Sequence, residues 1–174
     1  RNAAGAKPNA AHFALARLQA KYAHEIALIT QNVDSLHEAA GSDAIHMHGA
    51  HGTARCMTCE ARWTAPLVMS LDDECPTCRS TTTRPDVVWF GEVPLYLPEI
   101  AEHLHSADLF VAIGTSGTVY PAAGFVAEAA GAGARTMEIN LEPSNVAGQF
   151  DDVILGPATE TVPAWVDRVL NNAC

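Results

Sequence analysis

The chain has 174 residues, 48% of them hydrophobic, which is enough for one ordinary domain with a sizeable core plus a small insert. Twenty acidic residues against ten basic ones give a formal net charge of −10. That balance argues against nucleic acid or an acidic membrane as the main partner, because both need a basic face, and it suits basic peptides better. No apolar run approaches the roughly 18 residues of a membrane span, and Arg1-Asn2-Ala3-Ala4-Gly5 is not followed by the apolar region of a signal peptide.

In chain order, Pro8-Asn9 is expected to start a helix whose apolar face is Ala10, Phe13, Leu15, Ala16 and Leu18. His12 reads as a packing residue on it. Glu25 to Ile29 reads as the first strand, with the apolar run Ile26-Ala27-Leu28-Ile29 buried. Thr30, Gln31, Asn32 and Asp34 then fall at its carboxyl end, the edge where an open α/β sheet binds ligands. Val33 to Ala40 is a short helix closed by Gly41. Residues 50–85 change character: they are rich in Cys, Thr and Arg and poor in apolar runs, so they read as an inserted module too small to hold itself by a core.

Beyond Pro85, Val87-Val88-Trp89-Phe90 reads as a buried strand ended by Gly91, and Pro98 to Ser106 as a helix. Leu109-Phe110-Val111-Ala112-Ile113 is the most apolar strand, running into the turn Gly114-Thr115-Ser116-Gly117. An Ala-rich helix from Pro121 to Gly131, strands at Thr136–Ile139 and Val153–Leu155, and a helix from Thr161 to Asn171 complete the chain. Alternating strands and helices predict an α/β fold, a Rossmann-like parallel sheet covered on both faces. That domain comprises residues 1–49 and 86–174, with the metal module at 50–85. Gly131-Ala132-Gly133 is not a dinucleotide fingerprint, because it follows a helix and precedes a strand.

Four of the five cysteines form two C-x-x-C pairs, Cys56/Cys59 and Cys75/Cys78, separated by fifteen residues. Each pair puts two thiolates on one tight turn, and two such turns make a tetrahedral S4 site for structural Zn2+. A mixed site borrowing His46, His48 or His51 is the alternative, and two disulfides in a secreted protein a weaker one. Metal-bound thiolates point to a reducing compartment, so the protein is expected to be cytoplasmic; Cys174 reads as a free thiol. A closed S4 shell has no open position, which argues against a zinc hydrolase. His48 lies fourteen residues after Asp34 and directly before Gly49, which places an imidazole close to the carboxamides and carboxylate of residues 31–34.

Thr30-Gln31-Asn32-Val33-Asp34, His48-Gly49, the two C-x-x-C pairs, Phe90-Gly91-Glu92, Gly114-Thr115-Ser116 and Ile139-Asn140 occur in the order seen in sirtuins, the NAD-dependent protein-lysine deacylases. HMHG, VVWFGE, GTSGTVYPAAG and NLEPS are closest to the class III desuccinylase/deacetylase branch with its bacterial members. The resemblance runs from Pro8-Asn9-Ala10-Ala11-His12 to the end of the chain.

The resemblance implies removal of acetyl, succinyl or similar groups from protein lysine, giving nicotinamide and O-acyl-ADP-ribose. Gln31 and Asn32 would hold the nicotinamide ribose, and Asp34 with the backbone of Val33 the nicotinamide carboxamide. Gly114, Thr115 and Ser116 would approach the phosphates and ribose, Asn140 the adenosine ribose, and Ala158 the adenine. His48 would be the general base on a ribose hydroxyl. An acylated-lysine peptide would enter as an added strand between Gly91-Glu92-Val93 and Gly117-Thr118-Val119. Val88, Trp89 and Phe90 would wall the channel for the lysine stem.

The sirtuin fold begins with a βαβ unit carrying a Gly-Ala-Gly phosphate loop, followed by a segment whose Tyr and Arg read acidic acyl groups. Neither is in this sequence, so residues 1–174 alone are not expected to form a competent enzyme. The rival readings are a mono-ADP-ribosyltransferase on the same fold and an inactive zinc-ribbon binding fragment. Oligomeric state is left open.

Overall fold

The computed structural model describes residues 5–172; Cys174 lies outside them. Its centre is a parallel sheet of three strands, β6 (Leu109–Ile113), β7 (Arg135–Asn140) and β8 (Asp152–Leu155), in the order β6-β7-β8. Successive side chains point to opposite faces, and both faces are covered. On one, Val111, Ile113, Met137, Ile139 and Ile154 meet Ala11, Ala14 and Leu18 of α1 (Ala10–Lys21) and Val162, Trp165 and Val166 of α5 (Ala158–Asn172). On the other, Phe110 packs with Ile100 and Leu104 of α3 (Leu97–Ser106) and Phe125 and Ala129 of α4 (Phe125–Ala132). Met47, fully buried, and Ile29 and Ile45 join this second core. Ile29 and Ile45 come from a short parallel pair, β1 (Ile29–Thr30) and β2 (Ile45–His46), joined through α2 (Leu36–Ala39), and Met47 follows β2 directly.

Asn9 caps α1. Its side-chain oxygen accepts from the amides of Ala11 and His12 at 2.9 and 3.4 Å, and the His12 ring returns a bond to the Asn9 amide, so His12 is half of a capping box. The apolar face differs from the expected one. Ala11, Ala14, Ala16 and Leu18 are buried, whereas Ala10 and Phe13 are exposed, because α5 docks one position further round the helix.

The cysteine pairs lie around an antiparallel sheet in the order β4-β3-β5, formed by β3 (Gly49–Cys56), β4 (Arg62–Thr64) and β5 (Thr83–Val87). Three expectations are corrected. The strand expected at Val87–Phe90 sits earlier, at Thr83–Val87, and Trp89 and Phe90 are exposed in the loop beyond it. Pro85 can stand inside β5 because β5 is an edge strand, so the missing N–H removes no second ladder. The strand expected at Glu25–Ile29 reduces to Ile29–Thr30, since β1 pairs only with β2 among the described residues and Ala27 is exposed. The helix expected from Pro121 is a 3-10 turn at Ala122–Gly124 that becomes α-helical only from Phe125. Among the described residues no helix is long and apolar enough to cross a membrane.

Candidate active site

The parallel strands deliver the predicted polar residues to one edge. β1 ends at Thr30, β2 at His46, β6 at Ile113 and β7 at Asn140, so Gln31, His48, Thr115 and Asn140 all emerge at carboxyl ends. A chain of hydrogen bonds links them. The His48 Nδ1 lies 3.0 Å from the Gln31 carbonyl oxygen. The Gln31 Nε2 donates to the Thr115 hydroxyl at 3.4 Å, and the Asn140 Nδ2 donates to the Thr115 carbonyl at 2.8 Å.

A carbonyl can only accept, so the His48 Nδ1 carries the proton and its Nε2 keeps a free lone pair. That is the tautomer a general base needs. The other two histidines differ. Both His46 nitrogens are engaged, Nδ1 at 3.1 Å from the Asn32 carbonyl and Nε2 at 2.8 Å from Glu38 Oε1. His51 is exposed, and its amide donates to the Val33 carbonyl at 2.8 Å.

Gly49 explains why His48 can sit where it does. Its φ is +75°, and a Cβ there would lie 2.0 Å from the Asp86 carbonyl oxygen. β3 and β5 therefore touch backbone to backbone beside His48, and Val88 donates its amide to the His48 carbonyl at 2.9 Å. Only glycine combines that dihedral with that approach.

Asp34 is half-buried. One oxygen accepts the Leu36 amide at 3.0 Å and starts α2. With Val33, Ser35, His46, Ala50 and His51 it borders a shallow depression of about 310 Å³. The Val33 carbonyl accepts the His51 amide at 2.8 Å and keeps a second lone pair. Asn32 is exposed, as are Gly114, with φ +63°, and Ser116. Gly117 is buried, and a Cβ on it would meet the Val146 side chain at 2.6 Å. Ala158 opens α5 beside Gly156, whose amide donates to the Asn140 carbonyl at 2.9 Å.

Among the expected peptide-contacting residues, Phe90 and Val119 are exposed, Val88 is half-buried, and Gly91 has φ +88°. Glu92 is tied within the loop itself. Its amide is spent on the Trp89 carbonyl at 2.9 Å, and its carboxylate turns in on Arg84 at 2.6 and 2.7 Å. Hydrogen bonds from Arg84 and from the Trp89 amide hold that carboxyl down at about 2.

Glu138 escaped the sequence reading. It is fully buried on the central strand, and its Oε1 accepts from Asn140 Nδ2 at 3.2 Å and from the Ser144 amide at 3.1 Å. It therefore braces the loop beyond β7 against the Gly114–Gly117 turn. The signal available was a carboxylate set between Met137 and Ile139 in the strand.

The four cysteine sulfurs lie within 4.8 Å of one another. Cys56 is 3.6 Å from Cys78 and Cys59 is 3.7 Å from Cys75. Zn–S bonds of about 2.3 Å in a tetrahedron give S···S edges of about 3.8 Å, so the cluster fits zinc. No disulfide forms among the four. Backbone amides of Cys59 and Thr58 hold the Cys56 thiol down at about 6, whereas the Cys59 thiol, bonded by the Ala61 amide but crowded by the sulfurs of Cys78 and Cys75, is pushed up to about 12.

Residues 1–121 match the model of the Sir2 family. The chain belongs to the Sir2 family. It is 57% identical over 174 residues to an NAD-dependent protein deacylase of Caulobacter vibrioides, covering 97% of this chain and 73% of that one. It is 49% identical over 168 residues to an NAD-dependent protein deacylase of Escherichia coli K12, covering 94% of this chain and 60% of that protein. Among solved structures, it superposes on a Sir2 homolog–NAD complex with a TM-score of 0.88 at 35% identity, over 98% of this chain and 68% of that one. Sir2Af2 bound to a myristoylated histone peptide gives 0.79 at 34% identity, over 96% and 74%.

Proposed function

We propose that this chain carries the catalytic base, most of the NAD-binding edge and the structural zinc module of an NAD-dependent protein-lysine deacylase. The observation that carries this reading is the hydrogen-bond chain from His48 through Gln31 and Thr115 to Asn140, with a bare imidazole nitrogen at one end. The donor set suits a dinucleotide. Carboxamides at Gln31 and Asn32 and hydroxyls at Thr115 and Ser116 can bond riboses, Gly114 lets phosphate approach the backbone, and Asp34 can accept from a carboxamide.

NAD, consumed as a co-substrate, supplies the ribose carbon that takes up the acyl oxygen and releases nicotinamide. Gln31 and Asn32 orient the nicotinamide ribose and Asp34 the carboxamide. Asn140, fixed by Glu138, and the start of α5 at Ala158 border the adenosine. His48 removes a proton through Nε2 from a ribose hydroxyl, while the Gln31 carbonyl holds Nδ1–H and stabilises the imidazolium that results. The acylated-lysine peptide lies between the 88–93 loop and the Gly117–Val119 segment, where exposed Phe90 and Val119 offer apolar walls for the lysine stem. The zinc does not take part, because four thiolates close its shell.

In the full-length protein, His48→Ala is expected to lower deacylation at least about 10²-fold, the usual contribution of a positioned base, while His51→Ala costs far less. Mass spectrometry of the products should show nicotinamide and O-acyl-ADP-ribose. ADP-ribose left on the peptide would replace this reading with protein ADP-ribosylation, and equal loss from both variants would remove His48 as the base.

A further inference from the structure

Arg84 comes from β5 of the zinc module, yet both terminal nitrogens of its guanidinium reach the loop that borders His48, while its buried Nε has no hydrogen-bond partner among the described residues. It forks onto both Glu92 oxygens at 2.7 and 2.6 Å, donates to the Val87 carbonyl at 3.2 Å, and lies 4.2 Å over the Trp89 ring. Glu92 accepts the Trp89 amide at 3.0 Å, and the Glu92 amide returns to the Trp89 carbonyl at 2.9 Å. Residues 89–92 therefore form a closed turn, with Gly91 at φ +88°, gripped by one arginine. The two flanks of the loop hang from the catalytic segment: Val88 N–H on the His48 carbonyl and Leu95 N–H on the Met47 carbonyl, both at 2.9 Å. The result is that Phe90 stands wholly in solvent with Val93 beside it, also exposed. A large apolar side chain left bare on a loop fixed at three points is an unfilled contact surface.

Resting on the deacylase reading above, we infer that Arg84 is a positioning residue for the acylated lysine: through Glu92 and Trp89 it sets the 88–92 turn beside His48, and it does not read the acyl group. Bidentate pairing fixes geometry as well as charge, which a lysine at this position cannot reproduce. Residues 86–121 contain no Lys or Arg, so Arg84 is the cation nearest in sequence to this loop, and its fork is already filled. An acidic acyl group must find its charge partner elsewhere in the protein.

The test uses the zinc-loaded full-length protein with matched acetyl-lysine and succinyl-lysine peptides. Arg84→Met, the milder Arg84→Lys and Glu92→Gln should each raise peptide KM about tenfold, with KM for NAD changed less than about twofold. Zinc content should be unchanged, the acetyl and succinyl losses should match, and the Trp89 amide should exchange faster in each variant. The Arg84→Met/Glu92→Gln double variant should be no worse than either single one, as for two residues acting as one unit. A selective loss of succinyl activity would make Arg84 an acyl reader and overturn the inference. So would an unchanged peptide KM in an active Arg84→Met protein, or equal damage to the NAD and peptide constants. A wild-type protein that turns over neither peptide would instead sink the deacylase reading, and this role with it.

Discussion

His48 and Gly49 act as a unit, the first supplying a lone pair and the second the backbone room. The Gly49 position needs both a left-handed dihedral and a 2.0 Å approach that no Cβ survives. Gly49→Ala is therefore expected to lower stability by about 2 kcal/mol or more, since strain and displaced backbone add, and to abolish activity by moving His48. Gly52, three residues on, has open space where its Cβ would be, and Gly52→Ala should be neutral or stabilising by about 0.5 kcal/mol. Urea melts of the two variants compare them directly; equal stability would show that β3 can shift without cost. The sequence paired His48 with Gly49 but gave no reason for it, because the reason is Asp86, thirty-seven residues away. Glu138 stayed hidden for a similar cause. A strand's alternation shows which residues share a face, and it cannot show that a loop will fold over that face and supply the Ser144 amide.

Elements were legible where local chemistry decides them. Asn9 before an apolar run marks a cap, and Ile139-Asn140 marks a strand end, and both stand in the structure. The strand after the cysteine module was displaced because Pro85 read as a boundary, a rule that fails at a sheet edge. The beginning of the loop at Val88 is set instead by Arg84 and Glu92, eight residues apart across a turn and matching no helical or strand period. The cysteine spacing was the strongest element-level signal because two tight turns converge on one tetrahedron with no long-range information needed. Cys56 and Cys75 are the buried pair, and the sheet around them has little core of its own. Cys75→Ser is expected to release zinc and lower stability by several kcal/mol, because much of the folding free energy of such a module is metal binding. Zinc analysis alongside thermal melting checks this; stoichiometric zinc with an unchanged Tm would overturn it.

At the scale of the molecule, the doubly covered sheet, the strand-end chemistry and the zinc module were all readable, because alternating strands and helices leave few topologies. Acyl preference is less directly written. A buried carboxylate is costly unless paired and hydrogen-bonded, and an arginine fork with a tyrosine hydroxyl is the natural partner for it. The loops proposed to flank the lysine channel supply neither an arginine nor a lysine that is free: residues 86–121 have none, and Arg84 is held by Glu92. The resemblance of VVWFGE and GTSGTVYPAAG to the class III branch nevertheless predicts that the full-length enzyme removes succinyl, or a similar acidic group, at least as well as acetyl. The two statements agree only if the cation lies in another part of the protein. Steady-state kcat/KM for matched acetyl-lysine and succinyl-lysine peptides with saturating NAD decides it. A succinyl value equal to or above the acetyl value is the expected pattern, since a paired and hydrogen-bonded carboxylate then adds binding that the acetyl group lacks. A strong preference for acetyl would place the protein with the plain deacetylases and show that the sequence of these two loops does not carry the specificity.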